Sequence, residues 1–339
     1  MRGDLRRRHE ILELRDRDRN TCAADSASGN VTMMRCLIIL LHLTSPSIAQ
    51  EYAGSPQSLG AGARALGVGS AYTAVSDDAT AIYWNPAGLT QMLIRQAHAQ
   101  HAEQFAGTVN HDILTVGIPS DLGAFAVGLV RVGVDGIVLT DLEDPSTPVT
   151  PDNRPIASGT AGTSDYTLSL GYGRVVRPHL SLGATLKMIW RNLSAGDGTG
   201  YGLDLGVHYQ TGDWRFGAIL TDVTRTRITF DSGSADRIET ALTAGVAYGR
   251  KTTLLNGKTM VTGSVLLSGT TSEIDGGQRL RIGAEYIHRS KAAARIGLEG
   301  DHLTIGAGMS LLEHVSIDVA FLENGDLDNT YRISASVGF

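Results

Sequence analysis

Apolar and polar residues alternate along most of the chain that follows Met92. The alternation comes in segments of about ten residues, separated by turn residues. Successive side chains of a β-strand point to opposite faces of its sheet, so each segment has one apolar face and one face of small or charged residues. The pattern therefore predicts antiparallel β-structure. An example is the alternation of Tyr166, Leu168, Leu170 and Tyr172 with Thr167, Ser169, Gly171 and Gly173.

Fourteen such segments follow one another, and an even number of strands suits a closed transmembrane barrel. A soluble β-sandwich also alternates along its strands, so alternation alone does not decide between the two. The predicted strands are 94–104, 109–118, 122–133, 164–175, 179–192, 200–210, 213–222, 237–250, 257–268, 278–289, 292–299, 302–312, 314–323 and 329–339.

The connections between these segments mostly alternate between tight turns and longer loops. Outer-membrane barrels whose two chain ends lie in the periplasm have this rhythm, and a sandwich does not require it. Two connections break it, since 251–256 is too long for its side and 300–301 is too short. The longer loops are predicted at 134–163, 193–199, 223–236, 269–277 and 324–328.

Composition narrows the class of protein. Of the 339 residues, 41 are Gly and 9 are Pro, which without a collagen repeat suits tightly turned, close-packed β-structure. Cys22 and Cys36 both lie near the N-terminus, so the rest of the chain has no thiol for disulfides, catalysis or zinc binding. A formal net charge of −6 disfavours nucleic acid as a partner.

Residues 33–49 carry a processing signal. Arg35 precedes an almost continuously apolar run, and Ser47-Ile48-Ala49 is a small-x-small cleavage site. The apolar run is too short to span a bilayer as a helix. We therefore predict a secretory signal peptide that is cleaved between Ala49 and Gln50.

Residues 1–32 are rich in Arg and Asp and have no place in front of such a peptide. One interpretation is a misassigned start, with translation beginning at Met33 or Met34. The other is a disordered extension, which the polar composition also suits.

The stretch 77–89, Asp-Asp-Ala-Thr-Ala-Ile-Tyr-Trp-Asn-Pro-Ala-Gly-Leu, separates two kinds of sequence. Before it the chain has the pattern of small-residue coil or short helix, and after it the pattern of strands. Asn85-Pro86 is a turn initiator, and Pro86 suits the first turn of a short helix. Tyr83 and Trp84 need a large surface to pack against, which the inside of a barrel supplies.

Together with residues 64–75, this stretch resembles the PorV/PorQ family of outer-membrane proteins, which are similar to the FadL long-chain fatty-acid transporters. The resemblance implies an all-β fold, a transmembrane antiparallel β-barrel of about 14 strands over residues 93–339. It also implies that residues 50–92 fold into the lumen as a plug. The plug residues that carry the motif are Asp77, Asp78, Tyr83, Trp84, Asn85, Pro86, Ala87 and Gly88.

The resemblance implies two alternative functions at the bacterial outer membrane. The main prediction is a non-enzymatic protein of PorV/PorQ type that acts in type IX-like protein secretion. The alternative is a FadL-like channel for hydrophobic small molecules such as fatty acids. The expected partners are outer-membrane lipid, the barrel-assembly machinery that would recognise the terminal Phe339, and either exported cargo proteins or a hydrophobic ligand. No cofactor is expected.

Charged residues fall on the face that would point into the lumen, where mixed signs predict a solvated, salt-bridged interior. Ser169, Asp204 and His208 also point inward, so a hydrolase is a third hypothesis, although no G-x-S-x-G elbow accompanies them. His98 and His101 fall on opposite faces of one strand, so no metal site is expected there. The predicted inward charges are Lys187, Arg191, Asp204, His208, Arg215, Glu239, Arg281, Glu285, Arg295, Glu299, Asp318 and Arg332.

Overall fold

The computed structural model describes residues 59–104, 107–193, 196–252, 257–268, 278–323 and 329–339. The predicted signal peptide, its cleavage site at Ala49 and Gln50, residues 1–32 and the predicted plug up to residue 58 lie outside these ranges. Within them, no helix is long and apolar enough to cross a membrane.

Short helices come first in the described chain, and strands follow. The helices are α1 (Ala63–Gly67), α2 (Ala81–Trp84) and a 3₁₀ helix (Pro86–Gln91). The strands are β1 (Gln96–Gln104), β2 (Val109–Ser120), β3 (Gly123–Leu142), β4 (Pro155–Arg177), β5 (Leu180–Leu193), β6 (Gly196–Thr211), β7 (Trp214–Thr221), β8 (Arg227–Phe230), β9 (Ala235–Arg237), β10 (Ala241–Thr252), β11 (Gly257–Ser268), β12 (Gln278–His288), β13 (Ala292–Glu299), β14 (His302–Ser310), β15 (Val315–Leu322) and β16 (Thr330–Gly338).

Fourteen of the described strands form one closed antiparallel barrel, as predicted. Chain neighbours pair from β1 to β7 and from β10 to β16, and β7 pairs with β10. The barrel closes where β16 returns to β1, from the pair Gln96 and Gly338 to the pair His101 and Ile333. β8 and β9 form a hairpin outside this wall that pairs with the first part of β6.

The outward face of the wall is apolar. Leu170, Leu186 and Ile333 point away from the lumen and are 52%, 59% and 53% exposed. An apolar surface of this extent is unfavourable in water and suits the hydrocarbon layer of a bilayer. Other exposed apolar residues of the wall are Leu114, Phe125, Leu129, Leu182, Leu205, Ile296, Ile305, Val319 and Val337.

The two rims of the barrel differ. β1 starts and β16 ends at one rim, here called the turn end, where tight turns join β2 to β3 and β4 to β5 as predicted. The opposite rim is called the loop end. There, β3 and β4 remain paired as far as Leu142 and Pro155, so the predicted loop 134–163 is mostly a two-stranded extension. The alternation of apolar and polar residues is absent from this extension because both of its faces are exposed.

Three other predicted boundaries are wrong. β6 begins at Gly196, so 193–199 is not a long loop. The predicted loop 223–236 contains most of the β8–β9 hairpin. The strand predicted from residue 237 begins at Ala241, which leaves Glu239 outside the wall. The predicted loops 269–277 and 324–328 lie outside the described residues.

Candidate functional site: the plugged lumen

The described N-terminal residues fill the lumen as a plug. Leu66, Val68 and Tyr72 are each no more than 1% exposed although they precede the first strand. Wall side chains hold the plug backbone, because Ala63 N donates to Ser334 Oγ at 3.2 Å and Gly69 N donates to Thr304 Oγ1 at 3.0 Å. Since these partners lie on β16 and β14, the plug is bonded to the last part of the wall.

Lumen-facing glycines allow the plug backbone to lie directly on the wall. A Cβ at Gly217 would lie 2.8 Å from Ala74 Cα, and one at Gly173 would lie 2.6 Å from Pro86 O. Both separations are below 3.0 Å, a distance that Cβ atoms in proteins essentially never show. Several inward positions of the alternating strands are therefore Gly because the plug occupies the space of a side chain.

Asn85 and Pro86 start the 3₁₀ helix, as predicted. The Asn85 side chain accepts a hydrogen bond from Ala87 N at 3.2 Å, and Pro86 is the first helical residue. Asn85 Nδ2 also donates to Thr73 O and Val207 O, each at 3.0 Å, so one side chain joins two parts of the plug to β6.

Asn85-Pro86 does not itself lead the chain into the wall. The 3₁₀ helix that it starts packs on β4, β5 and β6, and the chain enters the wall only at Gln96. Gly88 lies inside this helix, where a Cβ would meet the Ser76 backbone. The motif therefore closes the plug on itself before the first strand begins.

The aromatic pair of the motif packs inside the barrel, as predicted. Trp84 Nε1 donates to Ala61 O at 2.7 Å, and the indole is edge-on to Tyr72 and Tyr83, with ring centroids 6.2 and 5.1 Å away. Tyr83 Oη accepts from Gly60 N at 3.1 Å. Each polar atom of the pair thus fixes the first described turn of the plug.

Asp77 and Asp78 hold the plug by different bonds. Asp77 binds Arg64 of α1 at 2.7 Å and Arg215 of β7 at 3.2 Å. Burial raises the pKa of the Asp77 carboxyl, but the charges of Arg64 and Arg215 outweigh it and hold that pKa below its usual value. Asp78 accepts from Thr80 N at 2.9 Å and from Tyr72 Oη at 2.7 Å.

Arg64 continues this ion pair into a chain of alternating charges across the lumen. The chain runs from Arg215 to Asp77, Arg64, Glu285, Arg295 and Asp318, and its neighbours lie 2.7 to 3.2 Å apart. Since it joins α1 to β7, β12, β13 and β15, it fixes the plug between opposite sides of the barrel.

Most of the other inward charges are also paired, which confirms the salt-bridged lumen but not the solvated one. Lys187 binds Asp204 at 2.7 Å and is 3% exposed, and Arg281 binds Glu299 at 2.7 Å. The interior is buried because the plug occupies it, which alternation along the strands cannot reveal.

Two inward charges depart from this pattern. Glu239 lies outside the wall, where its carboxylate is 3.6 Å from Arg225. Arg332 is buried in the wall at 3% exposure, and no carboxylate of the described residues lies within ion-pair distance of it.

The residues of the hydrolase hypothesis are not brought together. Ser169 lies level with Lys187 and, one strand on, with Gly202. His208 is six positions along β6 from Gly202, and its Nε2 lies 3.2 Å from Ala74 O. Since Asp204 is bound to Lys187, the side chains of Ser169, Asp204 and His208 do not form a contacting triad.

His98 and His101 lie on opposite faces, as predicted. His98 is buried in the lumen with Nδ1 2.9 Å from Ser336 Oγ, whereas His101 faces outward and contacts Asp112 at 2.7 Å.

The terminal Phe339 continues β16, and its N donates to Arg95 O at 2.9 Å. Its role in assembly stays a prediction.

Sequence analysis missed a polar cluster on β16, β1 and β2 near the loop end. Besides Arg332, it contains Gln100, Gln104 and His111, which all point into the lumen and are at most 4% exposed. The available signal is the run of polar residues at every second position of β1, interrupted by Ala102.

A pocket of about 640 Å³ lies at the loop end of the barrel seam. Pairing between β1 and β16 stops at His101 and Ile333, although both strands continue toward the loop end. The pocket is lined by residues of both faces of the wall, including the inward Ala102 and Arg332 and the outward Tyr331. The unpaired part of the seam is therefore next to the polar cluster.

Comparison with solved structures finds proteins of similar fold. The toluene transporter TbuX of Ralstonia pickettii aligns with a TM-score of 0.57 and 14% identity, over 83% of this chain and 98% of its own. The monoaromatic hydrocarbon channel CymD aligns at 0.58 and 14%, over the same shares. The Pseudomonas putida toluene transporter TodX aligns at 0.53 and 15%, over 82% of this chain and 97% of its own.

No family model and no curated protein matches the chain. The predicted barrel of about 14 strands is therefore supported by structure rather than by sequence, and nothing singles out PorV/PorQ. The chain has the fold of a plugged, fourteen-stranded barrel, which it shares with hydrocarbon channels.

Proposed function

We propose that this protein is a channel for hydrophobic small molecules in a bacterial outer membrane. The observation that carries the proposal is a barrel with an apolar outer wall whose lumen is filled by an N-terminal plug, with a pocket beside an unpaired stretch of the seam. An open aqueous pore does not need such a plug, whereas a channel for scarce apolar solutes must exclude water and ions.

The structural neighbours support this function over protein secretion. TbuX and TodX are described as toluene transporters and CymD as a hydrocarbon channel, and all three align over nearly their full length. None of these neighbours is a secretion component. The type IX prediction therefore has no support, and the alternative of hydrophobic transport is the better one.

Uptake by whole cells tests the proposal. The chain is expressed from Met33 in a diderm host that lacks its own hydrocarbon channel, and boiled and unboiled outer membranes are compared on gels to show a closed barrel. We expect faster initial uptake of labelled toluene or dodecanoate than with an empty vector. Uptake equal to the empty vector, with the barrel inserted, would refute the proposed function.

Two variants of β1 test whether the pocket is on the route. Ala102 lines the pocket, whereas Ala99 lies on the same strand and faces outward. We expect Ala102→Trp to slow uptake and Ala99→Trp to leave it unchanged. Equal rates for the two variants would exclude this pocket from the route while leaving the channel function intact.

A further inference from the structure

Five exposed cations lie at the turn end of the wall, where β10 leads to β11 and β12 leads to β13. The sequence around them is free of acidic residues, since neither 241–268 nor 286–298 contains Asp or Glu. Glu285, just before the second stretch, is bound to Arg64 and Arg295 in the lumen. The five cations, here called the basic rim, are Arg250, Lys251, Lys258, Arg289 and Lys291.

The described chain does not neutralise the basic rim. No described Asp or Glu lies within ion-pair distance of any of its five side chains. Asp213, in the adjoining turn between β6 and β7, contacts this region through its backbone oxygen, which accepts from Gly249 N at 2.9 Å. Lys251 and Lys258 lie directly opposite each other on β10 and β11, where like charges repel. An external anion would relieve this repulsion.

The turn between β12 and β13 has a cation where the backbone favours glycine. Lys291 has a φ of 66°, and its N donates to His288 O at 2.9 Å. This left-handed conformation is uncommon for residues with a Cβ other than Asn and Asp. A lysine at a strained backbone position points to a use for its charge.

Outward aromatic side chains place the basic rim at the depth of lipid headgroups. Tyr248 of β10 packs on Trp214 of β7 on the outer face, with ring centroids 4.9 Å apart. Aromatic girdles of this kind mark the boundary between the hydrocarbon layer and the headgroups. Arg250 follows Tyr248 by two residues on the same face, so it lies about 7 Å further along the strand. His288 follows Tyr286 of β12 in the same way.

The opposite end of the barrel has the opposite charge. Residues 135–155, which form the extension at the loop end, include five acidic residues and one basic residue. Bacterial barrels have their short turns in the periplasm, so we expect the basic rim at the periplasmic leaflet. The lipids of that leaflet are phospholipids, whose headgroups supply phosphate at the depth of Arg250.

We propose that the basic rim binds the headgroup phosphate of an anionic phospholipid. Arg250 and His288 hold the phosphate from the lipid-facing side, and the other cations of the rim add positive potential. His288 Nδ1 accepts from Ser290 N at 3.1 Å, which leaves its Nε2 to donate. The inference goes beyond the proposed function, because it requires an inserted barrel but no transported solute.

Quenching of Trp214 by brominated lipid tests the site. Trp84→Phe and Trp190→Phe leave Trp214, beside the basic rim, as the single tryptophan. The barrel expressed from Met33 is reconstituted in vesicles of phosphatidylglycerol and phosphatidylcholine in equal parts, with bromine on the acyl chains of either lipid. We expect the quenching to give phosphatidylglycerol an association constant about fivefold higher, as attraction by one cation near a bilayer surface provides.

Two pairs of substitutions test whether the basic rim causes this preference. Arg250→Gln/Arg289→Gln should bring the ratio of association constants to within about twofold of one. Arg174→Gln/Arg177→Gln is the matched control and should leave the ratio unchanged, because these exposed arginines lie at the turn between β4 and β5. Heat-modifiability shows that each variant forms a closed barrel.

A third background keeps Trp190, near the loop end, as the single tryptophan and should show no preference. Equal quenching of Trp214 by the two lipids, an equal preference at Trp190, or an equal loss in both arginine pairs would overturn the proposal. Inorganic phosphate added at constant ionic strength should not remove the preference, and its removal would assign the rim to free phosphate instead. Solute uptake does not enter these measurements, so the channel function is tested separately.

Discussion

Replacement of Gly217 by Ala tests how closely the plug fits the wall. Its Cβ would lie 2.8 Å from Ala74 Cα and from the Thr73 carbonyl carbon, about 0.7 Å closer than an ordinary carbon contact. These atoms belong to the plug backbone, so no side chain can rotate away. Thr73 O also accepts from Asn85 Nδ2 at 3.0 Å, and a shift of Thr73 weakens that bond.

The expected loss of stability combines these two effects. Overpacking of a filled interior costs about 1–3 kcal/mol, and a weakened hydrogen bond costs about 1 kcal/mol. We therefore expect Gly217→Ala to lower the free energy of unfolding by about 2–4 kcal/mol. Gly159→Ala is the control, because Gly159 lies on the exposed extension with no atom near its Cβ position, and it should change stability by less than about 0.5 kcal/mol.

Denaturant unfolding of protein folded into phospholipid vesicles measures both variants by linear extrapolation. Single-channel conductance in planar bilayers gives a second readout, since a displaced plug would open the lumen to ions. Equal unfolding free energies for Gly217→Ala and Gly159→Ala, with no added conductance, would show that the plug does not rest on the wall at this point.

Three further changes test the bonds within the plug. Arg64→Met removes one of the two cations that Asp77 and Glu285 each bind, leaving Arg215 and Arg295, and should cost about 1.5–3 kcal/mol in the same unfolding assay. Trp84→Phe removes the hydrogen bond to Ala61 O and should cost about 1 kcal/mol. The pKa of Asp77 is lowered below 3.8 in the folded protein, so its stabilising effect is complete above that value and is lost as the pH falls through its folded pKa. When the pH is lowered from 5 to strongly acidic values, the free energy of unfolding should therefore fall less in Asp77→Asn than in the wild type.

Controls for these changes come from the exposed extension. Arg154 directly precedes β4 at the end of this extension and, among the described residues, bonds to Pro151 O, so Arg154→Met should leave the unfolding free energy nearly unchanged. If Arg64→Met were as mild as Arg154→Met, the charge chain would not stabilise the plug. A pH dependence as large in Asp77→Asn as in the wild type would assign the acid sensitivity to other carboxylates.

The strands of the wall could be predicted because each has a lipid-facing side. Period-two alternation reports that side directly, and all fourteen predicted wall strands are present. The two-stranded extension of β3 and β4 at the loop end and the β8–β9 hairpin have no lipid-facing side, so the alternation did not predict them. The pattern also identifies an inward residue without revealing what fills the space in front of it, hence the wrong prediction of a solvated lumen.

The turn and short helix at Asn85-Pro86 could be predicted from local chemistry, since both residues act within a few residues of themselves. The polar cluster that contains Arg332 and His111 could not be predicted in this way. Arg332 and His111 meet only because β1 pairs with β2 on one side and with β16 on the other, which brings together positions more than 200 residues apart. Local alternation contains no information on that register.

The order in which the chain is made has a consequence for how fast this barrel can form. The plug precedes every strand, yet Ala63 bonds to a serine 271 residues later and Leu59 to an arginine 273 residues later. Contacts of such long sequence separation carry a large loop-closure cost before they contribute any stability, and folding is slow where they dominate. The plug is made before the wall and is thus the last to acquire its partners on β16, so closure of the seam and seating of the plug are expected to occur in one kinetic step.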